Sequence, residues 1–324
     1  MRVTNFTRTG CIVSDTDLHA EYLYVGDYGK VNNIKASFLG YNKRIDKVEH
    51  RDVDLSEKLV VTVSTQKGCP MKCSFCDCSN MDYIGNLSAW EMVSEISTAI
   101  SMSKVRRGRR LNVHFARMGE PTFNFDVIEA AKAIGRMAHG TFDEYHPVVS
   151  TMMPSSNNRL VDFLEQWAAL GRSGLWSGGV GLQFSINTLD EDDRNRMFNG
   201  MSRPLIEIGT IIDWLPKPQG RKYTLNFAVT SKSNLSPEWM EHYFDKDRCI
   251  VKMTPVHRTA AATESGFEIV RDFDVYERFE QPLVKNGWDV IVFVPSEEED
   301  EDRITCGNAL ISAMKSEKKE DDTK

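Results

Sequence analysis

From residue 58 onward the chain alternates between two kinds of segment, and few folds accept that pattern. Short runs of β-branched and aromatic residues recur as LVVTVS (59–64), LNVHFA (111–116), VVSTMM (148–153), GLQFSI (181–186), TLNFAV (224–229), CIVKMT (249–254) and WDVIVFV (288–294). Between them lie stretches with helical period near 125–138, 157–170, 190–214 and 272–286. Ser88, with Glu91 three residues on, forms a capping box that opens another helix, and Ser236-Pro237 starts one more. Strands that alternate with helices need crossover connections, which give a parallel sheet. Six strand–helix units predict an α/β fold, an open, partial (β/α)6 barrel rather than a closed barrel of eight. In parallel barrels the chemistry gathers at the C-terminal ends of the strands.

The preceding 57 residues read differently. AEYLYVGDYGKV and IKASFL carry β-branched and aromatic residues around turn signals at Gly26-Asp27 and Gly29, with no helical period. The expected organisation is a small β-rich N-terminal extension over 1–57, the barrel with its C-terminal loop over 58–312, and a disordered charged tail over 313–324. The run EEEDED (297–302) reads as a solvated acidic stretch.

Charge and apolar content narrow the function classes. A net charge of −7 argues against a binder held by phosphate attraction alone, and KVRRGRR (104–110) is the one strongly basic run. It is either a phosphate contact or a solvated loop at a helix end. No apolar run is long enough to span a membrane. The N-terminus MRVTNFTRTGCIV has no signal-peptide core, so a cytoplasmic location is expected, where thiols stay reduced. The seven cysteines are therefore not read as a disulfide framework, and four of them crowd into residues 69–78.

That crowding points to a metal. Cys69, Cys73 and Cys76 stand in the C-x3-C-x2-C run GCPMKCSFC, on the loop after the first barrel strand. Three close thiolates can hold three irons of a cubane and leave the fourth iron open to a small ligand. The competing reading is structural zinc closed by Cys78, whose single-residue separation from Cys76 suits one tetrahedron poorly.

The spacing, with an aromatic residue before the third cysteine, resembles the radical S-adenosylmethionine (SAM) superfamily, and the likeness sharpens to the RlmN/Cfr family of RNA adenine (C2/C8) methyltransferases. VSTQKGCPMKCSFC, Asn86-Leu87, Met118-Gly119-Glu120-Pro121 with Asn124, Ser150-Thr151, Ser185-Ile186-Asn187 and Thr305-Cys306-Gly307 resemble that family's motifs in order. The likeness runs from about Glu49 to Leu310. It implies a partial barrel of the radical SAM type, a [4Fe-4S] cluster on Cys69, Cys73 and Cys76, and S-adenosyl-L-methionine chelated to the open iron. Gly119, Glu120, Ser150, Ser185, Ile186, Asn187 and His257 would bind that cofactor, although the family has an asparagine near His257 and a histidine near Asn187. Cys306 would accept a methyl group from one SAM and lose a hydrogen from it to a radical made from a second. The resulting carbon radical would add to an adenine. Glu49, thirteen residues before Thr62, keeps the offset of a family carboxylate that handles protons. An electron donor such as flavodoxin or ferredoxin and a monomeric state are also implied.

Two departures matter. Thr62 occupies the position of the family cysteine that resolves the adduct by forming a disulfide, so either Cys11, Cys78, Cys249 or an external thiol resolves it, or the outcome is not adenine methylation. Only 48 residues precede Glu49, where the family has a larger accessory domain that helps to hold RNA. The expected function is therefore RNA methylation through Cys306. The alternatives are other radical carbon chemistry on a smaller nucleotide, DNA or protein substrate, and a non-catalytic, metal-stabilised nucleic-acid module.

Overall fold

The computed structural model describes residues 1–8, 10–26, 33–34, 54–172, 176, 179–294, 302–304 and 309–314. The antiparallel strands β1 (Arg2–Phe6), β2 (Gly10–Asp15) and β3 (Ala20–Val25) come first, and β4 is Asn33–Ile34. The first barrel strand is β5 (Leu59–Val63); a small ribbon of β6 (Gln66–Lys67) and β7 (Gly85–Asn86) follows. Then come β8 (Gly108–Phe115), β9 (Phe142–Thr151), β10 (Gly181–Ser185), β11 (Tyr223–Val229), β12 (Cys249–Pro255) and β13 (Val290–Phe293). One 11-stranded sheet runs β1-β2-β3-β5-β8-β9-β10-β11-β12-β13-β4. Every pairing from β5 to β13 is parallel, and the outer pairings are antiparallel. This is the expected partial barrel, with six crossover units and a seventh parallel strand.

The helices are α1 (Ala89–Met102), α2 (Asp126–Ala138), α3 (Leu160–Leu170), α4 (Glu191–Phe198), α5 (Leu205–Trp214), α6 (Pro237–Tyr243), α7 (Ala260–Glu264) and α8 (Phe273–Lys285). Ser88 and Glu91 close the capping box on α1 in both directions. None of the helices among the described residues is long and apolar enough to cross a membrane. Two differences from expectation stand out. Strand β9 begins at Phe142, because the polar stretch FDEYHP pairs with β8 where the sheet meets water. Helix α7 is too short to show a period; it exists because the Thr259 hydroxyl accepts from the Ala262 N–H.

Alternate strand residues point to opposite faces. Val61, Val63, Val113, Phe115, Leu182, Phe184, Leu225, Phe227, Val251 and Val292 pack outward against the helices. There Trp167 stacks on Phe163 with centroids 6.3 Å apart, and its indole N–H donates to the Gly181 carbonyl at 2.9 Å. The inner face is largely polar: Thr62 pairs with His114, Ser150 with Gln183, and Asn226 with Lys252, and all six share that face. Gln183 Nε2 donates to Ser150 Oγ at 2.9 Å, and Lys252 Nζ approaches Gln183 Oε1 at 3.4 Å.

One buried acid lies on the outer side. Glu95 of α1 is 3 % exposed, and neither carboxyl oxygen has a hydrogen-bond partner among the described residues. Burial pushes its pKa up from 4.5 to about 8, and the Asp15 charge adds to the shift. A carboxyl raised in the folded state costs no stability while both states are protonated; the cost grows as pH rises from the unfolded value to the folded one. Glu95→Gln is therefore expected to leave stability near pH 4 almost unchanged and to raise it at pH 9 by on the order of 2–4 kcal/mol. Thermal unfolding at the two pH values checks this, and an equal shift at both would refute it.

Candidate cofactor site at the cysteine loop

The loop after β5 turns at Gly68, whose φ of 75° and whose closeness to the Asp82 carbonyl leave no room for a Cβ. It then brings Cys69 and Cys73, both buried, and half-buried Cys76 into one apolar cluster with Met71, Met118, Met152, Met197, Phe198 and Leu310. Backbone N–H groups of Met71 and Gly119 aim at the Cys69 sulfur, and the three thiols influence one another electrostatically. Burial, reinforced by neighbouring Cys76, pushes the Cys69 thiol up to about 12 and Cys73 well above its ordinary value. Without a metal these groups are neutral thiols. Among the described residues, no three Cys, His, Asp or Glu side chains converge on a single ion-sized point.

The loop after β8 covers this cluster. Gly119 has a φ of 98°, and a Cβ there would lie 2.6 Å from the Gln66 Cβ. The next residue, Glu120, is buried and ties two strand ends together. It accepts from the Thr122 hydroxyl at 2.7 Å and from the Met152 N–H at 3.0 Å, while Gln66 Oε1 accepts from its backbone N–H at 2.8 Å. Burial raises its pKa, and its charge is felt at Cys69 and Cys73. Asn124 fixes the same loop by donating to the Thr65 and Leu87 carbonyls, each at 2.7 Å.

Strand β10 ends at Ser185, and Ile186 and Asn187 follow it. Asn187 is buried with φ 65°, its backbone N–H donates to the Asn226 carbonyl at 2.9 Å, and its side-chain Nδ2 has no partner among the described residues. The Asn226 Oδ1 is likewise buried and without a partner among the described residues. Sequence reasoning missed Arg194, which reaches back from α4 to the Ser185 carbonyl at 2.9 Å and also donates to the Ile186 carbonyl and the Ser202 hydroxyl. Burial lowers its pKa to about 10. Also missed was the grip of the segment after β12 on the cysteine loop. Thr259 Oγ1 donates to the Phe75 carbonyl at 2.7 Å, and Asp77 Oδ1 accepts from the Ala261 N–H at 3.0 Å. Of the expected cofactor residues, Ser150 lies on the inner face and His257 lies exposed on the loop beyond β12.

The sequence model of the radical SAM superfamily matches residues 63–208. That match covers somewhat less than half of the chain. It is 27 % identical over 164 residues to the dual-specificity RNA methyltransferase RlmN of Wolinella succinogenes, covering 50 % of this chain and 42 % of that protein. A probable enzyme of the same name from Thermosipho melanesiensis is 29 % identical over 187 residues, covering 56 % and 50 %. The ribosomal RNA large subunit methyltransferase N of Nitrosopumilus maritimus is 28 % identical over 70 % of this chain and 61 % of its own. The chain thus spans about half the length of the first two relatives. A radical SAM methyltransferase from Sphaerobacter thermophilus has the same fold, with a TM-score of 0.63 at 23 % identity, covering 95 % of this chain and 80 % of that one.

Similarity to the radical SAM superfamily implies a [4Fe-4S] cluster and SAM, and the residues fit both. Thiolates are the usual cluster ligands, and here two backbone N–H groups already face one sulfur. Among the described residues, Asn187 just after β10 and Asn226 in the middle of β11 hold an unused donor and an unused acceptor. Glu49 and Cys306 lie outside the described residues, but the flanks of Cys306 do not. Ala309 packs on Ile12 and Leu23, and Leu310 enters the cysteine cluster.

Thr62 faces inward beside Leu23 and His114. His114 is desolvated among Arg221, Lys252, Lys58 and Arg110, which together hold its pKa at about 3, so it is neutral. Of the cysteines proposed to replace the missing thiol, Cys11 and Cys249 point into the helix-side core, away from Thr62. Cys78 is buried in the same cluster as Cys69 and Cys73. The basic run 104–110 leads into β8 at the opposite end of the sheet from the cysteine loop, so it is not part of this site.

Proposed function

We propose that this protein is a radical SAM methyltransferase that modifies an adenine of RNA and carries the methyl group on Cys306. One observation supports the reading above the others. The cysteine loop, the Gly119-Glu120 loop and the helical turn 309–314 that follows Cys306 all meet in one apolar cluster at the C-terminal ends of the parallel strands. RNA is the substrate class in the relatives' names.

When bound, the cluster and SAM supply an electron and a 5′-deoxyadenosyl radical able to take hydrogen from a methyl group. In this reading Cys69, Cys73 and Cys76 hold the cluster. Gly119, Glu120, Ser150, Ser185, Ile186 and Asn187 line the SAM side, with His257 at its exposed rim. Cys306 receives and presents the methyl group, and Glu49 takes the ring proton when the product is released. Electrons come from a flavodoxin or ferredoxin, and the protein works as a cytoplasmic monomer. Mass spectrometry of RNA from cells with and without the protein tests the reading. A methyladenine that disappears with the protein supports it; an unchanged RNA profile with a changed small molecule overturns it.

Release of the product distinguishes this chain from its relatives. A thiolate must attack the sulfur that tethers the substrate, and Thr62 has no thiol. Cys78 is the candidate because it shares the cluster with Cys69 and Cys73. Cys78→Ala is expected to stall the enzyme as a covalent adduct on Cys306, visible by mass spectrometry of the intact protein, and Thr62→Cys to restore turnover in that background. Repeated turnover of a variant lacking Cys11, Cys78 and Cys249, with no added thiol, would exclude resolution by disulfide.

A further inference from the structure

We propose that Glu21 and Arg117 form a buried clamp that positions the segment carrying Cys306 at the cysteine-loop end of the barrel. The purpose of the clamp rests on the methyl-carrier reading of Cys306; its geometry does not.

Glu21 lies on β3 and Arg117 follows β8, and the two are 0 % and 3 % exposed. The Arg117 Nε lies 2.6 Å from Glu21 Oε1. A buried ion pair gains little net stability after desolvation, so its remaining hydrogen bonds matter more than its charge. Here three of those bonds go to one place. Arg117 donates from one terminal nitrogen to the Arg303 carbonyl at 3.1 Å and from the other to the Ile304 carbonyl. Glu21 Oε2 accepts from the Leu310 N–H at 2.9 Å. The clamp thus grips the chain on both sides of Cys306, three residues before it and four after it at the outermost.

Apolar contacts complete the grip. Ala309 packs on Ile12 and Leu23, next to Ile304, and Leu310 lies among the methionines around Cys69 and Cys73. Arg117 is also the residue before Met118-Gly119-Glu120, the loop whose amide aims at Cys69. One loop therefore touches both the cluster thiols and the methyl-carrying segment. Only Arg can serve both carbonyls and the carboxylate, because its donors sit in a rigid fork. Displacement by about 1 Å is enough to cost a reaction about a hundredfold.

The test separates positioning from folding. A single replacement leaves a buried charge unpaired and destabilises the protein, whereas replacing both partners by apolar residues of similar size is often neutral. The double variant Glu21→Leu/Arg117→Met is therefore compared with wild type, both as anaerobic holoprotein. Expected are a melting temperature and iron content close to wild type, tryptic cleavage after Arg303 and exchange of the Leu310 amide at least about tenfold faster, and Cys306 methylation at least about tenfold lower. Arg117→Lys, which keeps the charge and loses the fork, falls between. Wild-type rates of cleavage and exchange in the double variant would overturn the clamp. Those two rates are read without any methyl transfer, so they judge the clamp even where wild-type Cys306 bears no methyl, a result that would instead overturn the methyl-carrier reading.

Discussion

Cys73→Ala is expected to yield a protein with no iron–sulfur cluster and no measurable cleavage of SAM. Cys73 is the central cysteine of the run and is buried beside Met71 and Met197. Burial holds its thiol neutral, so only a strongly bound metal makes its thiolate stable there. Removing one of three ligands leaves a cubane with two protein thiolates and two open irons, which oxidise and dissociate. Wild-type protein prepared without oxygen should contain about four iron and four sulfide per chain, and the variant close to none. SAM cleavage should fall to the background without enzyme. Near-unit folding cooperativity is expected to survive, because the main core around Phe115, Phe163 and Trp167 lies on the other face of the sheet. Stoichiometric zinc and no iron in reconstituted wild-type protein would sink the cluster assignment.

Cys306→Ala is expected to lose methyl transfer entirely and to keep slow cleavage of SAM. The cluster cysteines and the Gly119-Glu120 loop are separate from Cys306 in the chain, so the first half of the chemistry remains. Wild-type protein should carry an extra methyl mass on the peptide containing Cys306, and the variant none. If the variant methylates RNA at the wild-type rate, Cys306 has no part in the reaction. Read together, the two variants separate loss of the radical from loss of the methyl carrier.

The barrel was legible because its strands carry two messages at once. In LNVHFA the outward Val113 and Phe115 mark a buried strand, while the inward Asn112 and His114 mark a polar interior. The cysteine loop was legible because its three cysteines come from eight consecutive residues, which the structure gathers into one apolar cluster. What could not be read is held together across the sequence. Arg194 contacts the end of β10 from a helix, Thr259 caps a five-residue helix and holds the cysteine loop, and Glu21 meets Arg117 and Leu310. No local spacing announces such contacts; each arises only when the sheet brings distant segments side by side. The limits of β9 were misread for a related reason, since FDEYHP pairs at the wet end of the sheet, where polar side chains cost nothing.

The position of β3 beside β5 has a consequence for how this protein can be shortened. The ladder from Tyr22 to Val25 occupies the backbone groups of Val60 to Val63, and Ser64 and Glu21 bond each other through both main chain and hydroxyl. A trimmed version beginning at Glu57 would keep every cluster cysteine and still present a bare, β-branched strand to solvent. Such an edge recruits the same edge of another molecule. The N-terminal hairpin is thus a solubility element as well as part of the sheet. Removing it would give aggregates whose lost activity says nothing about the chemistry.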